Sequence, residues 1–339
     1  LGGRTSQLYR YFPKLCHPTC GLEINLRRLK NNPRVRVLTL AEVTGIEGST
    51  GNYTVSVKVK PRYVNENCTA CGDCGRAVET MVDDPFNYNL GQHKAAFLPN
   101  AMAYPQRYVL DPAIIGTPDA DKAKAACKYG AIDLDMKEET IQVKAGAVVW
   151  ATGWQPYDAA KIQPYGYGRF KNVITSVEFE RLADIHGPTG GKILRPSDGK
   201  EAKNIAFIQC AGSRDENHLR HCSRICCMAS LKQTHYVREK YPEDGKSTIY
   251  YIDIRAISPR SRRSPRTNRA TRYAGASIPK ATSATPRRTT WWCWPSAWSP
   301  RSRASTFPAT SWRIRAASSK PTRPTARCSA PVARRMRWT

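Results

Sequence analysis

The sequence predicts an α/β protein, and three observations carry that expectation. NIAFIQC (Asn204–Cys210), a helical stretch from about Cys222 to Glu239 and STIYYIDI (Ser247–Ile254) succeed one another as strand, helix and strand, the order of a parallel, doubly wound unit. Upstream, YTVSVKV sets Tyr53, Val55, Val57 and Val59 on one face by strict alternation, the pattern of a half-buried strand. Between the two regions, NCTACGDCGRAV (Asn67–Val78) carries three cysteines at C-x2-C-x2-C spacing and reads as an insert.

The remaining elements follow in chain order. Residues 1–34 open on a glycine pair and contain FPKLCHPTCGLEI. VRVLTL (Val35–Leu40) predicts a strand, and GIEGSTGN a glycine-rich turn leading into Tyr53. AGAVVWATG (Ala145–Gly153) predicts another strand, and HGPTGGK with LRPSDGK a polar connector. GPTGGK is not a phosphate loop, because Gly187 stands one residue too close and Ile193 lacks the hydroxyl that G-x4-G-K-[ST] requires.

Charge divides the chain. The net +27 comes from 54 basic and 27 acidic side chains. Residues 258–339 hold 19 Lys and Arg and no Asp or Glu, which leaves +8 over residues 1–257. No apolar run reaches the roughly 18 residues of a membrane span, and Leu1-Gly2-Gly3-Arg4 has no signal-peptide pattern. Twelve cysteines in tight clusters favour metal or redox chemistry in a reducing compartment over a secreted disulfide scaffold.

From Ser258 onward Arg, Ser, Thr, Pro and Ala dominate, and neither helix nor strand period survives. A basic nucleic-acid arm is one reading, since Arg-rich tracts bind phosphates by counterion release. A slipped reading frame is the other, and the one the codons favour. Trp has a single codon, so WWCW (Trp291–Trp294) shifted by one base encodes an apolar Val-Val-Leu core, and PSAW can continue as Ala-Val-Gly-Met. The tail is expected to carry no fold, and Cys293 and Cys328 are not counted as ligands.

C-x2-C-x2-C places three thiolates on one loop, and a 4Fe–4S cube needs a fourth. In two-cluster ferredoxins the fourth is a distant cysteine ahead of a Pro/Gly-Ala-Ile turn. ACKYGAIDL has that shape, so Cys68, Cys71, Cys74 and Cys127 form the expected ligand set. Zinc is the alternative for the same thiols, but zinc sites usually pair two C-x2-C knuckles and only one is present. Cys210, Cys222, Cys226 and Cys227 form a second group. If the helix begins at about Cys222, Cys222 and Cys226 share a face one turn apart. Cys210 ends a strand, where open α/β sheets bind ligands. A second 4Fe–4S cluster and buried structural cysteines both fit this group. Cys16 and Cys20, in CHPTC, are either a redox pair or packing residues, and His17 reads as a surface histidine without a ligand role.

At LGGRTSQLYRYFPKLCHPTCGLEI, CTACGDC, WATGWQPY and FIQCAGSRDEN with CSRICCMASLKQ, residues 1–257 resemble the A-subunit family of heterodisulfide reductases. Within that family the resemblance is strongest to the branch in quinone-interacting membrane-bound oxidoreductase complexes of sulfate-reducing prokaryotes. It implies a FAD/NAD(P)-binding, two-dinucleotide-domain flavoprotein fold with an inserted ferredoxin-like iron–sulfur segment. The implied units are a partial FAD-binding domain (1–60), the iron–sulfur insert (61–135), a return to the FAD domain (136–195), a partial second Rossmann-like domain (196–257) and the tail (258–339). The family's G-x-G-x-x-G strand is not in this sequence, so the chain is expected to be truncated at its front. Gly2, Gly3 and Arg4 map to the flavin-proximal loop, and Ala151, Thr152 and Gly153 to a second flavin contact. A lone Gly212 where a nicotinamide fingerprint would lie predicts no NAD(P)H.

What the resemblance further implies is a FAD and iron–sulfur electron-transfer subunit linking the membrane quinone pool to adenylylsulfate reductase. The alternative within the family passes electrons to a disulfide-reducing partner. Expected partners are a second flavin/iron–sulfur protein and a quinone-reactive membrane protein of the same complex, with this chain peripheral to the inner face of the cytoplasmic membrane. No specific nucleic acid is expected. Resequencing the coding DNA is expected to reveal a frame slip near codon 258, and an uninterrupted frame there refutes the frameshift.

Overall fold

The computed structural model describes residues 1–12, 14–255, 291–294, 298–300 and 334–337, the last three stretches by their backbone alone. Pro18, at φ −60°, leads into α1 (Thr19–Lys30), whose last turn places Arg27, Arg28 and Lys30 where cations meet the negative helix end. The alternation at Tyr53–Val59 forms the strand it predicts. β1 (Ala41–Ser49) and β2 (Asn52–Val59) pair antiparallel, with Ser49 opposite Asn52. The reversal therefore takes only Thr50 and Gly51.

GIEGSTGN was expected to be turn throughout, yet its first five residues extend β1. Gly45 marks a register shift after Val43, the work of a β-bulge. Gly48, at φ +104°, lets the backbone approach Asn52 so closely that a Cβ would collide with its carbonyl. VRVLTL forms no strand. Val35 and Leu40 are 38 and 41 % exposed, because no described strand lies alongside to pair with them.

The insert follows β2. It comprises α2 (Asp73–Ala77), β3 (Met81–Asp83), β4 (Gln92–Lys94), β5 (Ala96–Phe97), β6 (Val109–Leu110) and α3 (Pro118–Ala126), packed around Val64, Val78, Leu110, Ile114 and Ala123. Asp119 of α3 accepts bonds from the backbone N–H of Glu79 and Thr80 and from Thr80 Oγ1, which holds the α2 end against α3. The chain then re-enters the first sheet as β7 (Glu139–Ala145), giving the order β1-β2-β7. The strand expected over Ala145–Gly153 therefore lies earlier and retains only Ala145. Val149 is 88 % exposed, since its apolar run has no neighbouring described strand to bury it.

After β8 (Trp154–Pro156), the second unit contains β9 (Val173–Thr175), α4 (Ser176–Ala183), β10 (Asn204–Ile208), α5 (Cys226–Lys240) and β11 (Lys246–Tyr251). A reciprocal capping box between Thr175 and Glu178 starts α4. β10 pairs parallel with β11, as the strand-helix-strand pattern requires. The helix begins four residues later than expected, so Cys222 lies before it and does not share a helical face with Cys226. Phe179, Phe207, Tyr236, Val237 and Ile249 form the core between sheet and helices.

The tail was expected to have no fold, but three short strands appear in it: β12 (Trp291–Trp294), β13 (Trp298–Pro300) and β14 (Arg334–Arg337). The larger sheet runs β14-β11-β10-β12-β9, with β12 parallel to both neighbours. β14 pairs with β11 at the sheet edge, where unpaired N–H and C=O groups can be satisfied by any extended segment. The rest of the tail lies outside the described residues.

A buried ion pair fastens these units. Arg181 and Asp184 are each 1 % exposed at the side chain and 2.9 Å apart. Arg181 also donates to Asn87 Oδ1 at 2.7 Å and to the carbonyls of Gln7 and His186. Arg181→Ala is expected to destabilise the fold by about 3–5 kcal/mol, because it removes the buried cation from Asp184 and leaves a cavity among its partners. Denaturant unfolding measures the loss.

Candidate redox centres

The insert brings its four cysteines together. Val64 bridges Ile132, and Asn65 N–H donates to the Ala131 carbonyl at 2.8 Å, which lays the C-x2-C-x2-C loop beside the turn after Cys127. Ala70 at φ +58° and Gly72 at φ +86° turn the loop back on itself. Cys68, Cys71, Cys74 and Cys127 line one small cleft, together with Val64, Tyr108 and Ile132. Backbone N–H groups of Ala70 and Ala131 donate to Cys68 Sγ at 3.4 Å and Cys127 Sγ at 3.3 Å. Gly75 keeps the cleft open, because a Cβ would press on the Ala96 carbonyl and the Tyr108 ring.

Burial, reinforced by the other three sulfurs, pushes the Cys74 thiol up to about 11. Four thiolates do not coexist in such a place without a cation between them, and a metal centre supplies it. Among the described residues no three His, Cys, Asp or Glu side chains converge on a point that holds a single metal ion.

The second group gathers where β10 ends and α5 begins. Cys210, Arg214 and Arg224 all have positive φ, at 57°, 55° and 62°, an accumulation of strained backbone that is typical of functional sites. Cys226 and Cys227 form the first turn of α5, so the positive helix end faces the thiols. A hydrogen bond from Cys227, aided by Ser223 Oγ at 3.2 Å and the Cys210 backbone, brings the Cys226 thiol down to about 6 against its burial. The same bond, together with burial, raises Cys227. Burial and the Cys226 charge raise Cys210, while Arg214 opposes them; Cys222 also acts on Cys210. Backbone N–H groups of Arg224 and Arg255 donate to Cys222 Sγ and Cys227 Sγ, each at 3.4 Å. All four cysteines thus belong to one neighbourhood, although the shared helical face expected for Cys222 and Cys226 does not exist.

The two segments expected to contact flavin approach each other through Arg4 and Trp154. Gly2 and Gly3 have φ +94° and +51°, and Gly153 has φ +68°. A Cβ at Gly3 or Gly153 would meet nothing within 4 Å, so open space lies beside each. Arg4 donates to Tyr88 Oη at 2.6 Å and lies over the Tyr88 and Trp154 rings, at 5.3 and 5.8 Å from their centroids. Arg4 thereby joins the amino-terminal loop to the residue that follows Ala151, Thr152 and Gly153. Tyr88 and Trp154 are not among the sequence-predicted site residues, because nothing in local spacing links an insert tyrosine to a loop 84 residues away. Cys16 and Cys20 are exposed free thiols. His17, expected on the surface, is instead anchored: Nε2 lies 3.2 Å from Asp184 Oδ2. Thr19 N–H donates to Nδ1, which leaves the proton of the neutral ring on Nε2, facing the carboxylate.

Thiol clusters in a mixed helix-and-strand frame are the equipment of an oxidoreductase subunit, and the relatives of this chain carry that class. It is 40 % identical over 260 residues to the A subunit of the ferredoxin/F420H2-dependent CoB-CoM heterodisulfide reductase of Methanosarcina acetivorans. It is 41 % identical over 259 residues to an iron–sulfur A subunit, numbered 2, of the CoB–CoM heterodisulfide reductase of Methanopyrus kandleri. Identity is again 41 %, over 262 residues, to the corresponding iron–sulfur protein of Methanocaldococcus jannaschii. Each match covers 76 % of this chain but only 32–39 % of the relative. The chain therefore spans about a third to two fifths of the curated relatives it matches. No protein-family model matches it.

Gly212, at φ +74°, packs its α-carbon against Tyr157 and Ile162, where a Cβ would come to 2.7 and 2.8 Å. Gly212→Ala is expected to destabilise the protein by about 1–3 kcal/mol through backbone strain and overpacking. Thermal unfolding measures it, and an unchanged midpoint refutes the tight approach.

Proposed function

We propose that this chain is part of an FAD and iron–sulfur electron-transfer subunit of the heterodisulfide reductase A type. The single observation that carries the proposal is the cleft lined by Cys68, Cys71, Cys74 and Cys127. These four would ligate one 4Fe–4S cluster, and Cys210, Cys222, Cys226 and Cys227 a second. FAD would lie along Gly2, Gly3 and Arg4 and along Ala151, Thr152 and Gly153. When bound, these groups interconvert two-electron flavin chemistry with one-electron steps.

The chain's own residues set the conditions for that exchange. The apolar floor of the insert keeps water from the first centre, and N–H groups from Ala70 and Ala131 offset thiolate charge. Arg4, on the rings of Tyr88 and Trp154, holds the two flavin segments at a set separation. Nicotinamide is not part of the proposal, and neither is a specific nucleic acid.

Partner subunits complete the proposed complex: a second flavin/iron–sulfur protein and a disulfide-reducing or quinone-reactive one. Relatives named as heterodisulfide reductase subunits favour the disulfide branch. The single C-x2-C-x2-C group in a short insert favours the other branch, which links the membrane quinone pool to adenylylsulfate reductase. Among the described residues no helix is long and apolar enough to cross a membrane, so attachment to the inner face of the cytoplasmic membrane would run through partners. Copurification from native membranes separates the branches.

Anaerobic reconstitution of the full chain, followed by iron analysis, tests the proposal. Cys71→Ser is expected to lose about four irons, one cluster's complement, and extraction of the parent protein is expected to release yellow flavin. Unchanged iron in Cys71→Ser refutes the ligand assignment.

A further inference from the structure

Two arginines and one carboxylate are built around the second thiol group. Arg214 Nη1 lies 3.8 Å from Cys210 Sγ, and the same nitrogen is paired with Asp253 Oδ1. The other oxygen of Asp253 accepts from Arg255 Nε at 2.9 Å. Arg255 in turn donates its backbone N–H to Cys227 Sγ at 3.4 Å. One carboxylate thus grips both arginines, and each arginine reaches a different thiol of the set. The arrangement is local: Ser213 N–H closes the turn on the Cys210 carbonyl at 3.2 Å, and Arg214, with left-handed backbone at φ +55°, donates its N–H to the His221 carbonyl at 3.2 Å.

The first thiol group has no such side chain among the described hydrogen bonds to its sulfurs. Its sulfur bonds come from backbone amides, of Ala70, Gly75 and Ala131, while Arg62 acts on Cys68 by charge without a hydrogen bond. A guanidinium cannot lose its proton in a protein, so Arg214 is a permanent positive charge about one hydrogen bond from a ligand sulfur. Net charge and hydrogen bonds at the sulfurs set the potential of an iron–sulfur centre, and groups behind the ligands tune it.

We infer that Arg214, held by Asp253, is a positioning residue that raises the reduction potential of the centre bound by Cys210, Cys222, Cys226 and Cys227 and makes it the preferred electron acceptor of the two thiol centres. Uptake of one electron adds one negative charge to that centre, and a fixed cation at Cys210 stabilises the reduced form more than the oxidised one. Asp253 works in the opposite sense, because it neutralises part of the cation it holds. The inference rests on the proposal above that this group binds a cluster.

The experiment is an EPR-monitored redox titration of the reconstituted full chain, with dithionite and ferricyanide as titrants. Loss of a signal in Cys226→Ser identifies the second centre, and loss in Cys71→Ser the first. The second centre is expected to take up its electron at the higher potential. Arg214→Gln is expected to lower its electron affinity about tenfold, a shift of about 59 mV for one electron, and to leave the first centre in place. Arg214→Lys, which keeps the charge, is expected to restore most of the shift, and Asp253→Asn to move the potential upward. A residue that merely braced the loop would not produce shifts of opposite sign. If Arg214→Gln assembles no cluster, the upward shift in Asp253→Asn decides the matter alone. A parent protein without a second signal overturns the cluster proposal and this inference together. A second signal that neither variant moves, or that lies below the first, overturns this inference and leaves the cluster proposal standing.

Discussion

Burial of Arg181 is the constraint on which the arrangement of the two cysteine regions depends. A guanidinium removed from water must find partners for its donors or the fold loses several kcal/mol. Arg181 finds them in three different parts of the chain: the Gln7 carbonyl in the amino-terminal turn, Asn87 in the insert, and Asp184 with the His186 carbonyl just past its own helix. The Phe86 ring lies 4.9 Å from its guanidinium carbon. These contacts cannot all be kept if the insert shifts relative to the glycine loop. Asp184, in turn, fixes His17, so the CHPTC segment is drawn into the same junction.

Glu180 repeats the device one residue earlier. Its carboxylate, 2 % exposed, accepts from Lys232, Gln233 and Tyr236 of α5 and from the Tyr9 backbone. α4 therefore offers Arg181 to the insert and Glu180 to α5, and the amino-terminal segment touches both. The cysteine insert, the glycine loop and the helix that begins with Cys226 and Cys227 all refer back to one two-turn helix. This polar junction, together with Tyr9 and Leu90 packed against the apolar core of the second unit, fixes how the regions sit against one another.

The thiol centres differ in how they are made. The first is a cleft in a small core, with polarity supplied by backbone amides. The second is a strained turn at a helix start, with arginines held close by a carboxylate. Both are visible as cysteine spacings, because convergence of thiols on one loop depends only on short-range chain geometry. Cys127 is also legible, since Gly-Ala-Ile after a cysteine is a local turn signal. The start of α5 is not, because residues 222–225 continue an apolar-polar pattern compatible with helix. Positive φ at Arg224 breaks that helix, and spacing carries no trace of it.

Local pattern was sufficient for the β10–α5–β11 unit, the alternating strand β2, the two cysteine sets and the divide in charge at Ser258, because each depends on residues close in sequence. Tertiary structure alone decided that residues 35–40 and 146–153 form no strand, since strand formation needs a neighbour to pair with. It alone also brought Arg4 to Tyr88 and Trp154, Arg181 to Asn87, and Asp253 to Arg214. Those contacts join side chains far apart along the chain through charge and burial, and neither leaves a periodic mark in the sequence.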